Sequence, residues 1–357
     1  MKLGINLIFI LAFSVISVGQ SGRIKPAETP TPRPDPQRRP VTYFPTQDRG
    51  VLPVLLPAAS PTPKPKDDPD EVITVESTLV PIPVSVLDNG GRAVMTLKLS
   101  DFELQIDGKT AEISELSRSE TPIRLAMLFD NSSSVMIARE FEKDAAIKFF
   151  RRIIRPEKDL AALYSVATVT HLEQPFTANI SSLTRAIEMF AMPVGATALL
   201  DGLVDSSNYL REVSGRRVIV IVSDGDDTAS DSSFELVMKE LQLANAQVYV
   251  VKTTDFENYK RTGSRGGNAN LRQLSAERRM SEIARQTGGS VYSPLDEREL
   301  DEAFRQISAE LTQQYILSYY PENETDKHGQ FRTISLSVKG RPNLNVRTRN
   351  GYYVLRR

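Results

Sequence analysis

The chain of 357 residues has no cysteine, which removes disulfides, thiolate nucleophiles and cysteine zinc sites together. Histidine is almost as scarce: His171 and His328 are the whole complement, too few for a histidine-rich metal centre. A surplus of either charge is also missing. The 44 basic and 45 acidic residues are mixed along the chain, and a formal net charge of -1 gives no electrostatic footprint for nucleic acid. What remains is 40% apolar and 25% charged, an ordinary globular composition with length for two or three domains. Doing without disulfides also fits an exported protein.

The amino-terminal pattern points the same way. Lys2 precedes an apolar run from Leu3 to Val18, followed by the small residues Gly19, Ser21 and Gly22. The run is short for a membrane span and contains Asn6, so residues 1–21 read as a secretory signal peptide. The expected location is the periplasm, the cell surface or the medium, with membrane attachment only through an uncleaved signal. Residues 22–70 follow as a linker. Thirteen of the 22 prolines lie between Pro26 and Pro69, interleaved with Thr, Lys, Arg and Asp, a composition that is extended and solvated because it cannot build a packed core.

Residues 71–120 alternate with period two, as in Val80, Ile82, Val84 and Val86, and Asp88-Asn89-Gly90-Gly91 is a hairpin signal. Residues 314–357 behave likewise, with alternation over 314–320, 331–338 and 346–354. Between them, 121–313 alternates strand and helix signals in the manner that requires a parallel sheet. Strands are expected over 123–129, 160–169, 218–222 and 248–251, and helices over 181–192, 199–213, 232–244, 271–287 and 297–311. One further helix follows the first strand, with Ile137, Phe141, Ala145, Phe149 and Ile153 on its inner face. The fold class is α/β: a doubly wound, mostly parallel, Rossmann-like sheet inserted between β-rich segments that pair as a small β-sandwich.

Chemistry concentrates at strand ends. The run Ile123 to Phe129 leads into Asp130-Asn131-Ser132-Ser133-Ser134, Gly195-Ala196-Thr197 opens a helical pattern, and Val218 to Val222 leads into Ser223-Asp224-Gly225. Asp130, Ser132, Ser134, Thr197 and Asp224 are hard oxygen donors of the kind Mg²⁺, Mn²⁺ or Ca²⁺ prefers. In a doubly wound sheet such loops meet at the carboxyl ends of the strands. Two carboxylates and three neutral hydroxyls leave a cation with room for an acidic ligand from outside. Read singly, each piece is also an ordinary cap or turn. Asp226 and Asp227 read as a solvated acidic loop, His171 as a surface or packing residue, and the glycine-rich loop 262–268 as a mobile loop without the Lys-Ser or Lys-Thr of a phosphate cradle.

In order and spacing, Asp130, Ser132, Ser134, Thr197 and Asp224 resemble the metal-ion-dependent adhesion site (MIDAS) of von Willebrand factor type A (VWA) domains: D-x-S-x-S, a distant Thr, then a distant Asp. That family usually has Gly where Ser133 stands. Val80 to Asp88, Asp101-Phe102-Glu103, Asp107-Gly108-Lys109, Ser223 to Thr228 and Arg349 to Tyr353 further resemble an acidobacterial VWA-related family over roughly residues 72–354. The resemblance implies metal-dependent protein binding or adhesion: a Glu or Asp of a partner protein completes the coordination of Mg²⁺, with Mn²⁺ or Ca²⁺ as alternatives. It implies no catalysis. The competing expectations are a metal-dependent hydrolase, which needs a placed base, and an envelope protein with a vestigial site.

Overall fold

The computed structural model describes residues 79–118, 121–136, 138–263, 271–321 and 328–354, without the side chains of Ser134 and Val135. The expected signal peptide, the linker, Ile137 and most of the loop 262–268 lie outside the described residues.

The first β-rich segment gives β1 (Val80–Leu87), β2 (Phe102–Ile106), β3 (Lys109–Ala111) and β4 (Glu115–Arg118). The central region runs β5 (Ile123–Asp130), α1 (Arg139–Ile153), β6 (Leu160–Val166), β7 (Thr170–Thr177), α2 (Ile180–Glu188), α3 (Leu199–Arg211) and β8 (Arg216–Ser223). It continues through α4 (Phe234–Ala244), β9 (Gln247–Lys252), α5 (Thr254–Thr262), α6 (Leu271–Thr287), β10 (Val291–Tyr292) and α7 (Glu297–Thr312). The chain then adds β11 (Tyr315–Tyr319), β12 (Phe331–Val338), β13 (Asn345–Arg347) and β14 (Gly351–Tyr353).

The central sheet has the order β10-β9-β8-β5-β6-β7. All its pairs are parallel except β6 with β7. Strands β5 and β8 are buried on both faces, which is why they read as unbroken apolar runs. Leu125, Met127 and Phe129 point into one core with α1, α2 and α7, while Ala126 and Leu128 point into the other with α3, α4 and α6. This is the doubly wound arrangement. Its strand order reverses between β5 and β8, so the ligand crevice of such a sheet opens at their carboxyl ends.

The flanking segments pair across the insertion: β1 lies antiparallel to β11, and β2 to β12. Two four-stranded sheets, β13-β1-β11-β4 and β14-β12-β2-β3, contribute to a third core that includes Val84, Phe102, Leu104, Tyr315 and Tyr352.

Three departures from the sequence pattern are instructive. The expected strand 160–169 is a hairpin, β6 turning into the half-exposed edge strand β7, and α5 lies where no helix is expected. The inner face of α1 departs at one position. Ala145, Phe149 and Ile153 are buried as expected, whereas Phe141 is 40% exposed and Glu142 is fully buried instead.

Candidate metal centre

Asp130 is the last residue of β5 and is 1% exposed; Asp224 follows the last residue of β8. Residues Phe129 and Val222 are ladder partners, so adjacent strands deliver both carboxylates to one end of the sheet. Asp130 is held on both oxygens. The Ser132 amide donates to Oδ1 at 2.9 Å and the Ser223 hydroxyl donates to Oδ2 at 2.6 Å. Ser223 Oγ in turn accepts from the Gly225 amide at 2.9 Å, and Asp224 Oδ1 accepts from the Asp226 amide at 2.9 Å. Ser223 thus sets the orientation of the Asp130 carboxylate. Its place beside the motif aspartate was the only sequence signal for that role.

Three loops are stitched together here. Ser133 donates through its hydroxyl to the Gly195 carbonyl at 2.8 Å, tying the loop after β5 to the one before α3. Thr228 and Ala229 donate their amides to the Thr197 carbonyl at 2.8 and 3.0 Å, tying that loop to the one after β8. Gly195 has φ +78°, and a Cβ there would stand 2.4 Å from Thr168 Oγ1, so both backbone and space demand glycine. Ser133 is not among the described residues with positive φ. A glycine is therefore not required at that position, and its hydroxyl serves as a cross-loop tie.

Ser132 and Thr197 are 2% and 3% exposed. Thr197 is not the cap of α3: the N-cap is Ala198, and the exposed amides of Leu199 and Leu200 donate to Asp227 Oδ1. Asp227 is thus a helix cap supplied by another loop rather than a solvated acid. Asp226 is paired with the Arg272 guanidinium at 2.9 Å. His171 is exposed on β7. Of the five motif residues, Asp130, Ser132, Thr197 and Asp224 stand on loops bonded to one another, and Ser134 follows on the same loop as Ser132.

The electrostatics suit a cation. Burial, and then the charge of Asp224, push the Asp130 carboxyl up to about 6, against hydrogen bonds from Ser223 and Ser132 that pull it down. Asp130 has no ion-pair partner among the described residues, where no three His, Asp or Glu side chains form a metal-holding group. The set assembled here has two carboxylates and otherwise hydroxyls, a hard donor set that fits Mg²⁺ or Ca²⁺ better than a transition metal.

No family model matches the chain, and no curated protein matches it in sequence. Among solved structures it is similar to the PilB minor pilin from Streptococcus sanguinis, with 13% identity and a TM-score of 0.41. That match covers 55% of this chain and 62% of the pilin, so the chain spans less than two thirds of the pilin's length. It is also similar to BatB from Bacteroides thetaiotaomicron, with 13% identity, a TM-score of 0.39, and 53% and 98% of the two chains covered. A third likeness is to the vWF domain of the pili tip protein Mfa5 from Porphyromonas gingivalis, with 22% identity, a TM-score of 0.29, and 30% and 39% covered. By its own strand order, its single antiparallel edge strand and the seat of Asp130 and Asp224 at the switch point, the central unit has a VWA-like fold.

Proposed function

We propose that this chain is an exported, non-catalytic binding protein whose MIDAS-type centre holds a divalent cation and, through it, an acidic side chain of a partner protein. Asp130, Ser132, Ser134, Thr197 and Asp224 hold the ion, Mg²⁺ in the first instance with Mn²⁺ or Ca²⁺ as alternatives. When bound, the ion supplies an electrophilic position that accepts a Glu or Asp carboxylate. The observation that carries this reading is Asp130: buried, fixed on both oxygens, next to a second aspartate, and without an ion-pair partner of its own among the described residues. Of the acids on these loops, Asp226 is paired with Arg272 and Asp227 caps the amino end of α3, so neither is free to serve a hydrolase as its base.

The test is calorimetric titration of the protein with Mg²⁺ and Mn²⁺, in parallel with the Asp130→Ala, Ser132→Ala double variant. Loss of one saturable equivalent in the variant is the expected result; a wild-type protein that takes up neither ion overturns the reading.

A further inference from the structure

A second group of oxygens lies beside this centre, supplied by α1 and the start of α5. Thr253 donates its amide to the Ser223 carbonyl at 3.0 Å, which places it one residue from Asp224 on the neighbouring strand. Thr254 Oγ1 donates to the Asp224 carbonyl at 3.0 Å, and Glu257 closes the first turn of α5 by donating its amide to the Thr253 carbonyl. Phe141 and Phe256 meet ring to ring at 5.8 Å, which holds α1 against α5 one residue away from Glu142 and Glu257. Burial, and then the neighbouring acids, raise the carboxyls of both Glu142 and Glu257, with the Thr253 hydroxyl a smaller opposing influence on each.

Much of this oxygen is unpaired among the described residues. There, Glu142 is fully buried and neither of its carboxylate oxygens has a hydrogen-bond partner; Thr253 is fully buried with its Oγ1 unpartnered; Glu257 has Oε1 buried and unpartnered. Nearby cations are engaged elsewhere. Lys260 lies over the rings of Phe141 and Phe256 and pairs with Glu297, and Arg139 donates to the carbonyls of Phe190 and Ala191. Arg261 bonds Asn258 Oδ1 at 2.6 Å and reaches Glu257 only through its charge. A buried carboxylate with no partner is among the costliest arrangements in a protein interior unless a proton or a metal ion neutralises it.

We propose that Glu142, Glu257 and Thr253 form an inner position for a second hard divalent cation, next to the Asp130 and Asp224 position. The inference rests on reading the outer centre as a cation site. With two carboxylates at each position, one divalent ion per position balances the charge of all four acids, which neither ion achieves alone. The three ligands come from α1, the β9–α5 junction and the first turn of α5, so an ion there would also join α1 to α5.

The test is to count bound Mn²⁺ on the chelator-stripped full chain, from the loss of the free-ion paramagnetic resonance signal, with circular dichroism to verify folding. The expected result is two equivalents for the wild type, one for Glu142→Gln, Glu257→Gln, and one for Asp130→Ala. Thr253→Val, which keeps both carboxylates and the side-chain shape, should weaken one equivalent and spare the other. A single wild-type equivalent that survives the double Gln variant and is abolished by Asp130→Ala overturns the inner position while leaving the outer one intact. No bound ion in any form overturns both.

Discussion

Asp130 and Asp159 stand at opposite ends of the central sheet, and the fold treats them in opposite ways. Asp159 precedes β6 at the amino end of the strands and is fully buried. The Arg155 guanidinium grips both of its oxygens at 2.7 and 2.9 Å, and the amides of Ile123 and Arg155 donate to it as well. Burial raises its carboxyl, but those contacts outweigh it and hold the group below its ordinary range. Asp130, at the carboxyl end, is as buried but has hydrogen bonds only, and its carboxyl is pushed up. Asp159 comes with its cation, whereas Asp130, which we propose serves a ligand, has none among the described residues.

The contrast can be broken most completely at Asp130. Asp130→Ala should sharply reduce the rise in melting temperature on adding Mg²⁺ in differential scanning fluorimetry, leaving only what the inner position contributes, while the protein still folds in EDTA. Asp159→Ala should do the reverse: it strands Arg155 and the Ile123 amide and lowers stability by about 3 kcal/mol in urea unfolding, with the Mg²⁺ response intact. Ser223→Ala removes the hydroxyl that orients Asp130 and should weaken Mg²⁺ binding about tenfold by calorimetry.

The two aspartates also predict opposite pH slopes. Asp159 has a depressed carboxyl, so its contribution is present above the unfolded value of 3.8 and is lost as the solution becomes more acidic. Asp130 rises from 3.8 to about 6 on folding and Glu257 from 4.5 to about 8, so the folded state binds more protons than the unfolded chain across that window. In EDTA the melting temperature of Asp130→Asn should therefore match wild type near pH 4 and exceed it by a few degrees at neutral pH, and Mg²⁺ should close the gap. A constant difference across the range would mean that Asp130 does not titrate as its surroundings dictate. Smallest of all, Ser133→Ala loses only an exposed cross-loop hydrogen bond and should cost about 0.5–1 kcal/mol in the same urea experiment.

Much of this was legible in the sequence because the signals were redundant. Runs such as Val218 to Val222 can only be strands buried on both faces, and the D-x-S-x-S spacing follows one of them directly. Other features lacked a local signature. β7 is largely exposed and contains Pro175, so no alternation marks it; α5 buries only Phe256. On α1 the apolar spacing correctly places Ala145, Phe149 and Ile153 inside but also Phe141, where the structure buries Glu142 instead. Asp227 caps a helix 28 residues earlier in the chain, a contact that spacing along the sequence does not encode.

The insertion of the α/β unit has a mechanical consequence. It leaves the β-sandwich after Arg118 and returns at Tyr315, and these two residues face each other as partners across the β4–β11 ladder. A pull applied at Val80 and Val354, the outer ends of the described strands, is borne first by the hydrogen bonds of the two flanking sheets. Tension does not enter the loops that carry Asp130 and Asp224 until that ladder opens. The clamp isolates those loops from load, so the load-bearing strands and the loops of the proposed centre belong to different sheets.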